Sequence, residues 1–343
     1  MHFSNLLAEW YLAHKRVMPW RGEKDPYKIW ISEVILQQTR VKQGWSYYLR
    51  FMETFPTVKL LAAASQEKVL KVWQGLGYYS RARNLHEAAK QIMETYNGKF
   101  PENYENIRKL KGVGDYTAAA IASIAFGLPY PAVDGNLFRV VCRLFGIFDD
   151  IILPATKKNV TEKCRQLMKD MPSREFNEAM MDFGALQCVP QNPDCENCPF
   201  QHQCYAFIHH VIDILPVKIK RIKLKERHLH YIFYRLPDGT IIKKRTENDI
   251  WKGLYELPLI ESENKESETL YDLLRRYKHS PPPDYYKRHL LTHQILHLYF
   301  YSITLENIPA LTDKEQFVQY VQLPQYPFSK IVADFLRNHS PLC

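Results

Sequence analysis

Apolar positions in the N-terminal part of the chain recur at helical spacing. Leu6, Leu7, Trp10 and Tyr11 share one face, and Ile31, Val34, Ile35 and Val41 repeat the pattern. Glycine and proline punctuation at Pro56, Gly75 to Gly77, Gly112 to Gly114 and Pro129 to Pro131 separates such segments. Residues 1–212 therefore read as a predominantly helical body, with no tandem repeat. From residue 228 the period changes. HLHYIFYR and TIIKKR are strand-like runs about a turn marked by Asp238-Gly239, and LHLYFYSITL at 296–305 reads as a further strand. A helix is expected at 268–277, and the polar stretch ESENKESET at 261–269 as a mobile loop. Residues 213–227, basic and free of Gly and Ser, read as an extended connector. The pattern thus predicts a mainly α N-terminal region and a small α+β domain at 228–343.

Composition adds little until the cysteines are counted. The formal charge of +9 suits nucleic acid or another acidic surface and decides between neither. No run of about 18 or more apolar residues occurs, so no membrane span is expected. The opening MHFSNLLAEWYLAHKRVMPW lacks the order and cleavage site of a signal peptide, which points to an intracellular protein. Of seven cysteines, Cys142, Cys164 and Cys343 read as buried or incidental thiols. The other four form Cys188-x6-Cys195-x2-Cys198-x5-Cys204. In a reducing compartment such a cluster indicates metal rather than disulfides. Four thiolates in one turn-rich segment can surround zinc or an iron–sulfur centre, and spacing alone does not choose.

Leu110-Lys111-Gly112-Val113-Gly114-Asp115 joins two helical segments, the second rich in alanine. Gly112 and Gly114 permit a tight turn and a close ligand, and the N–H groups of the following helix can meet a phosphate. Lys109 and Lys111 add charge. An ordinary helix–helix turn would look similar, but a basic chain with a cysteine cluster tilts the reading toward DNA.

This hairpin at about 110–126, followed by Val133-Asp134-Gly135-Asn136 and the cysteine loop at 188–204, resembles the helix–hairpin–helix base-excision glycosylases. Pro19-Trp20-Arg21, the run Ser32 to Thr39 (SEVILQQT) and Gly75-Leu76-Gly77-Tyr78-Tyr79 are similar to adenine DNA glycosylases (MutY type) in particular, over roughly residues 6–215. The resemblance implies a [4Fe–4S] cluster on Cys188, Cys195, Cys198 and Cys204. It implies an enzyme that acts, as a monomer, on double-stranded DNA in which adenine opposes 8-oxoguanine or guanine.

Cleavage of an N-glycosidic bond requires protonation of the departing base and an anion beside the oxocarbenium-like sugar. Two carboxylates in unlike environments divide such work in glycosidases. Glu33 lies in the apolar run WISEVIL, where burial would raise its pKa, and Trp30 and Gln37 share its face. The resemblance makes Glu33 the acid that protonates adenine at N7 and later positions water. Asp134 reads as a helix N-cap and, by resemblance, as the anion at the sugar. Tyr116 stands where related glycosylase–lyases such as endonuclease III carry a Schiff-base lysine, so base removal without efficient strand cleavage is expected. Glu178 matches an active-site carboxylate. Trp20 and Arg21 resemble residues near the extruded adenine. Gln38 and Tyr78 resemble residues that wedge the duplex, and Arg81 and Arg83 are candidate phosphate contacts.

Trp251-Lys252-Gly253-Leu254-Tyr255-Glu256-Leu257-Pro258 resembles the Nudix-like C-terminal domain of that family, which reads 8-oxoguanine. The Nudix hydrolase motif is not found, so phosphohydrolase activity is not expected. A recognition loop commonly Phe-Ser-His reads Leu291-Thr292-His293 here: the hydroxyl and imidazole stay, and the aromatic platform is lost. Two other functions compete, an endonuclease III-like glycosylase–lyase for oxidised pyrimidines and a non-catalytic, redox-responsive DNA-binding protein. Tyr116 and the extra domain oppose the first, and the Glu33–Asp134 pair opposes the second.

Overall fold

The computed structural model describes residues 3–219, 224–280 and 282–341. The chain divides into two compact units, Met1–Ala63 with Asn84–Lys220, and Ala64–Arg83 with Arg221–Cys343. The helices in chain order are α1 (Phe3–His14), α2 (Pro26–Leu36), α3 (Val41–Thr54), α4 (Val58–Ala63), α5 (Gln66–Trp73), α6 (Ser80–Thr95), α7 (Tyr104–Arg108), α8 (Asp115–Phe126), α9 (Gly135–Phe145), α10 (Pro154–Met168), α11 (Ser173–Leu186) and α12 (Tyr205–Ile208). Among the described residues, no helix is long and apolar enough to cross a membrane.

In the first unit α2 is central. Asp25 caps it by accepting from Tyr27 N, and Pro26 occupies the first turn, where a missing N–H costs nothing. The helix buries Tyr27 and every residue from Ile29 to Ile35, packed between α3 and α8. Trp30 is wholly buried, so its replacement by alanine would cost roughly 3–5 kcal/mol. Val41, expected to continue this pattern, instead opens α3: α2 ends at Leu36, its cap Gln37 turns to ψ 113°, and Gln38 follows with a left-handed φ of 55°. The alanine-rich α8 buries Thr117 through Ile124 and packs against α7 and α11. Gly184 of α11 passes so close to α9 that a Cβ there would stand 2.6 Å from Asn136 Cβ. That approach packs α11 closely against the start of α9.

The second unit has two sheets. Strands β4 (Leu259–Ser262), β1 (Lys225–Arg235), β6 (Gln294–Thr304) and β5 (Tyr285–Leu290) form one in that order; β3 (Tyr255–Glu256), β2 (Gly239–Lys244) and β7 (Glu315–Gln319) form the other. The period of two is visible in the packing. Leu229, Tyr231 and Phe233 join Leu296, Leu298 and Phe300 on one face, with Val332 and Phe335 of α14 (Lys330–His339). Ile232, Tyr234, Tyr301 and Ile303 meet Leu270 and Leu274 of α13 (Glu268–Arg276) on the other.

Several expectations need correction. The runs on either side of Asp238-Gly239 turn back through Leu236 N to Gly239 O (3.1 Å) but do not pair, since both edges of β1 are taken by β4 and β6. The stretch 261–269 is shorter as a loop than its polarity suggested, because β4 and α13 claim its ends. The connector is not uniformly extended. Leu215 is buried with its carbonyl accepting from Arg143 Nε at 2.9 Å, and β1 begins at Lys225; residues 220–223 lie outside the described residues. Residues 64–83, read as part of the helical body, belong to the second unit. There Lys71 Nζ donates to Tyr326 O (3.0 Å), Tyr255 Oη to Glu67 (2.9 Å) and Arg83 Nη1 to Lys252 O (2.8 Å).

Candidate active site

A cavity of about 470 Å³ in the first unit collects seven of the residues singled out from the sequence: Trp20, Arg21, Glu33, Gln38, Tyr116, Asp134 and Glu178. They arrive from several elements: the turn before α2, α2 and the residues after it, α8, the N-cap of α9, and α11. Glu33 sits mid-way along α2, buried, and Tyr116 Oη donates to its Oε2 at 2.8 Å. Burial pushes the Glu33 carboxyl up to about 7, against the opposing pull of the Tyr116 hydrogen bond and the Arg21 charge. Tyr116 is itself held well above the ordinary phenol range by burial and by Glu33, so it stays a donor.

Asp134 is the N-cap of α9. Its Oδ1 accepts from Asn136 N and Leu137 N, both at 2.9 Å, and Asn136 Nδ2 donates to Oδ2 at 2.9 Å. Capping and a place at the cavity therefore coincide in one side chain. Burial raises its pKa while the two N–H groups work the other way.

Arg21 lies between two acids, Glu178 at 3.0 Å and Asp182 at 2.8 Å. Tyr11 Oη donates to Glu178 (3.0 Å), and Arg16 Nε donates to Asp182 (2.9 Å), which is wholly buried. Two carboxylates against Arg21 limit how far its charge favours ionised Glu33. Sequence reasoning reached Glu178 and missed Tyr11, Arg16 and Asp182. The signal available was Asp182 four residues beyond Glu178, on the same helical face. Asn177 was also missed: wholly buried, it accepts from Ala132 N at 2.8 Å and donates to Tyr130 O at 3.0 Å, pinning the segment that leads to Asp134. Gln37, the C-cap of α2, donates from Nε2 to Thr117 Oγ1 at 3.1 Å. Trp20 is buried edge-on to Tyr48 with ring centroids 5.3 Å apart.

The hairpin between α7 and α8 ends on Gly114, an N-cap without a side-chain bond, so the N–H groups of the first turn are not claimed by a capping side chain. Helix α8 starts at Asp115. Gly112 has φ 76°, and a Cβ there would fall 2.6 Å from Asn84 Cβ, so both conformation and space demand glycine.

Cys188, Cys195, Cys198 and Cys204 line one narrow apolar pocket with Phe183, Phe200 and Phe207. None is in a disulfide. Helix α9 reaches this loop through two arginines one turn apart, unremarked in the sequence. Arg139 Nε donates to Cys188 O (2.7 Å); Arg143 donates to Val189 O (2.8 Å) and Pro190 O (3.0 Å). The helix that Asp134 caps is thus tied to the cysteine loop further along.

In the second unit Tyr78 and Thr292 are brought together, their hydroxyls 2.8 Å apart, and Tyr78 takes a left-handed φ of 46°. Thr292 and His293 are exposed in the β5–β6 turn, while Leu291 packs against the core. Arg81 does not stand ready for phosphate: it is buried, with its guanidinium 5.2 Å from the Trp73 ring and 5.7 Å from Tyr78. Burial lowers its pKa to about 10.

Residues 31–170 match the profile of the HhH-GPD superfamily of base excision DNA repair proteins, and residues 229–338 match a NUDIX domain. Among solved structures, a thermostable thymine-DNA glycosylase is similar with TM-score 0.56 and 29% identity, covering 60% of this chain and 95% of its own. A trapped endonuclease III–DNA covalent intermediate is similar with TM-score 0.51 and 25% identity, covering 60% and 94%. The helical unit is that of a helix–hairpin–helix base-excision DNA glycosylase. Among named relatives, the adenine DNA glycosylase of Buchnera aphidicola subsp. Acyrthosiphon pisum is 32% identical over 98% of both chains. That of Homo sapiens is 41% identical over 60% of this chain and 39% of its own. The chain belongs to the adenine DNA glycosylase family and is a DNA N-glycosylase, a hydrolase.

Proposed function

We propose that the Glu33 cavity carries out the family's excision of adenine, on duplexes in which adenine opposes 8-oxoguanine or guanine, without cleaving the strand. The observation that carries this reading is the pairing in one cavity of a buried, hydrogen-bonded Glu33 with a capped Asp134. Glu33 holds its proton near neutral pH because burial disfavours the anion. Tyr116 occupies Oε2, which leaves Oε1 to deliver the proton to N7 of an extruded adenine. The C1′–N9 bond then breaks, and its electron pair leaves with the neutral base. Asp134, oriented by two backbone N–H groups, stabilises the oxocarbenium-like sugar. Glu33, now a carboxylate, takes a proton from the water that completes hydrolysis. Tyr116 cannot form the Schiff base that strand cleavage by a lyase requires.

The hairpin with Gly112 and Gly114 supplies N–H groups for a DNA phosphate. Trp20 and Arg21 border the space an extruded adenine would enter, and Gln38 lines the same cavity. Tyr78, Thr292 and His293 are the groups for the opposing lesion, and Leu291 offers no platform because it faces the core.

The cysteine loop fits a thiolate-bound metal centre. Four thiols around one apolar pocket suit the [4Fe–4S] cluster of the family, held by Cys188, Cys195, Cys198 and Cys204. When bound, the cluster supplies a fixed structural centre onto which Arg139 and Arg143 tie the helix capped by Asp134.

The test is incubation with a duplex carrying adenine opposite 8-oxoguanine, with and without alkali, beside a duplex with an oxidised pyrimidine. Cleavage of the adenine strand only after alkali supports the reading, and Glu33→Gln should abolish it while lesion binding persists. Direct cleavage at the pyrimidine lesion, trapped by borohydride, would replace it with a glycosylase–lyase.

A further inference from the structure

The second unit carries a group of donors that base excision does not use. Strands β1 and β6 run parallel with His228 opposite His297 and His230 opposite Tyr299. Alternation along β1 places Glu226 on the same face as His228. The His228 and His297 rings lie nearly parallel, at 9°, with centroids 4.7 Å apart. One oxygen of Glu226 and one nitrogen from each ring all lie within 4.8 Å of one another. Within that group His297 Nε2 is 3.3 Å from Glu226 Oε2.

A second feature orients the donors. Each ring meets a phenol through Nδ1: His228 Nδ1 is 3.1 Å from Tyr299 Oη, and His297 Nδ1 is 2.8 Å from Tyr286 Oη. Either group can donate in such a contact; where Nδ1–H donates to the phenol oxygen, Nε2 bears the lone pair that a metal takes. Metal-bound histidines are held in the same way, with the non-ligating N–H donated to an oxygen.

We propose that Glu226, His228 and His297 form a surface site for one divalent transition ion of the zinc type, separate from the cysteine loop. Two imidazoles and a carboxylate suit zinc and its borderline neighbours, whereas calcium and magnesium require mostly oxygen. Three protein ligands leave a position for water. Closing the donors to about 2.0–2.2 Å from an ion requires rotation of Glu226, whose side chain is exposed. Such an ion bridges the two parallel strands near the start of β1. Arg288 stands opposite His297 in the register, and its charge opposes a cation, so the ion is exchangeable rather than required for folding.

The experiment is equilibrium dialysis of the full-length protein against zinc chloride, with zinc and iron counted separately by mass spectrometry. Wild type should retain one zinc more than a His228→Gln/His297→Gln double variant. Tyr286→Phe should keep that stoichiometry and bind about tenfold or more weakly, through loss of the phenol that orients His297. Equal zinc in wild type and a folded double variant would overturn the site and leave Glu226 as an ion-pair partner only. Should the double variant not fold, Glu226→Gln at the exposed ligand reads the same question: retained zinc at unchanged affinity overturns the proposal, and loss or weakening supports it.

Discussion

Tyr116 Oη donates a 2.8 Å hydrogen bond to Oε2 of Glu33, joining the residue just after the hairpin to the middle of α2 across 83 positions of sequence. The bond stabilises the carboxylate form of a group that burial otherwise keeps protonated. Under the proposed function, the position that lacks a Schiff-base lysine is also the one that tunes the proton donor.

The pH dependence of excision follows. With Glu33 at about 7, the single-turnover rate should be level below that pH and fall about tenfold per unit above it. Tyr116→Phe removes a contact that lowers the Glu33 pKa, so the fall should move to higher pH. The same shift acts on stability. A carboxyl raised in the folded state contributes fully below its ordinary pKa, and that contribution is lost as pH rises through about 7. A rate that stays level on both sides of neutrality would remove Glu33 as the acid.

Asp134→Asn separates capping from chemistry. Asparagine caps about as well as aspartate, so melting should move by less than about 1 kcal/mol equivalent. The charge at the sugar is gone, and single-turnover excision should drop by about 10²-fold or more. Near-normal kinetics would dismiss the assigned role.

Asp182 tests the support beneath the site. It is wholly buried and takes the guanidinium groups of Arg16 and Arg21. Asp182→Asn should lower stability by about 1.5–3 kcal/mol, read from the urea midpoint, because Arg16 loses its acidic partner and Arg21 keeps only Glu178. Unchanged stability would mean that Arg16 and Arg21 find other partners.

Cys198→Ser should release iron and acid-labile sulfide and weaken excision more than it weakens general DNA binding. The link is the tie from the cysteine loop through Arg139 and Arg143 to the helix that Asp134 caps. Iron content equal to wild type would exclude Cys198 as a ligand.

His293→Ala should reduce the preference for 8-oxoguanine over guanine opposite adenine, and Tyr78→Phe should do so in part, by removing the hydroxyl contact to Thr292. Competition between the two duplexes measures the ratio; an unaltered ratio in both variants removes this turn from lesion recognition.

Much of the site was legible along the chain because its signals are local. Glu33 is conspicuous as the carboxyl inside WISEVIL, and burial in the helix explains why its pKa is raised. The cysteine spacing and the glycines of the hairpin are likewise short-range patterns. Arg81 misled for the same reason: an arginine after a glycine-rich turn looks like a phosphate contact, and only packing beside Trp73 shows it buried.

The sequence by itself determined the helical body, the change to period-two strands, the cysteine loop and the chemical types at positions 33, 116 and 134. Tertiary structure alone decided which groups meet. Arg21 reaches Asp182 across 161 residues, the strands flanking Asp238-Gly239 part into different sheets, and residues 64–83 join the second unit. Periodicity records which face of an element is buried. It carries no record of what that face packs against, because burial rewards apolar area whatever its source. Partners are chosen by shape and by the need of every buried charge for a counter-charge, and both exist only once the chain has closed on itself.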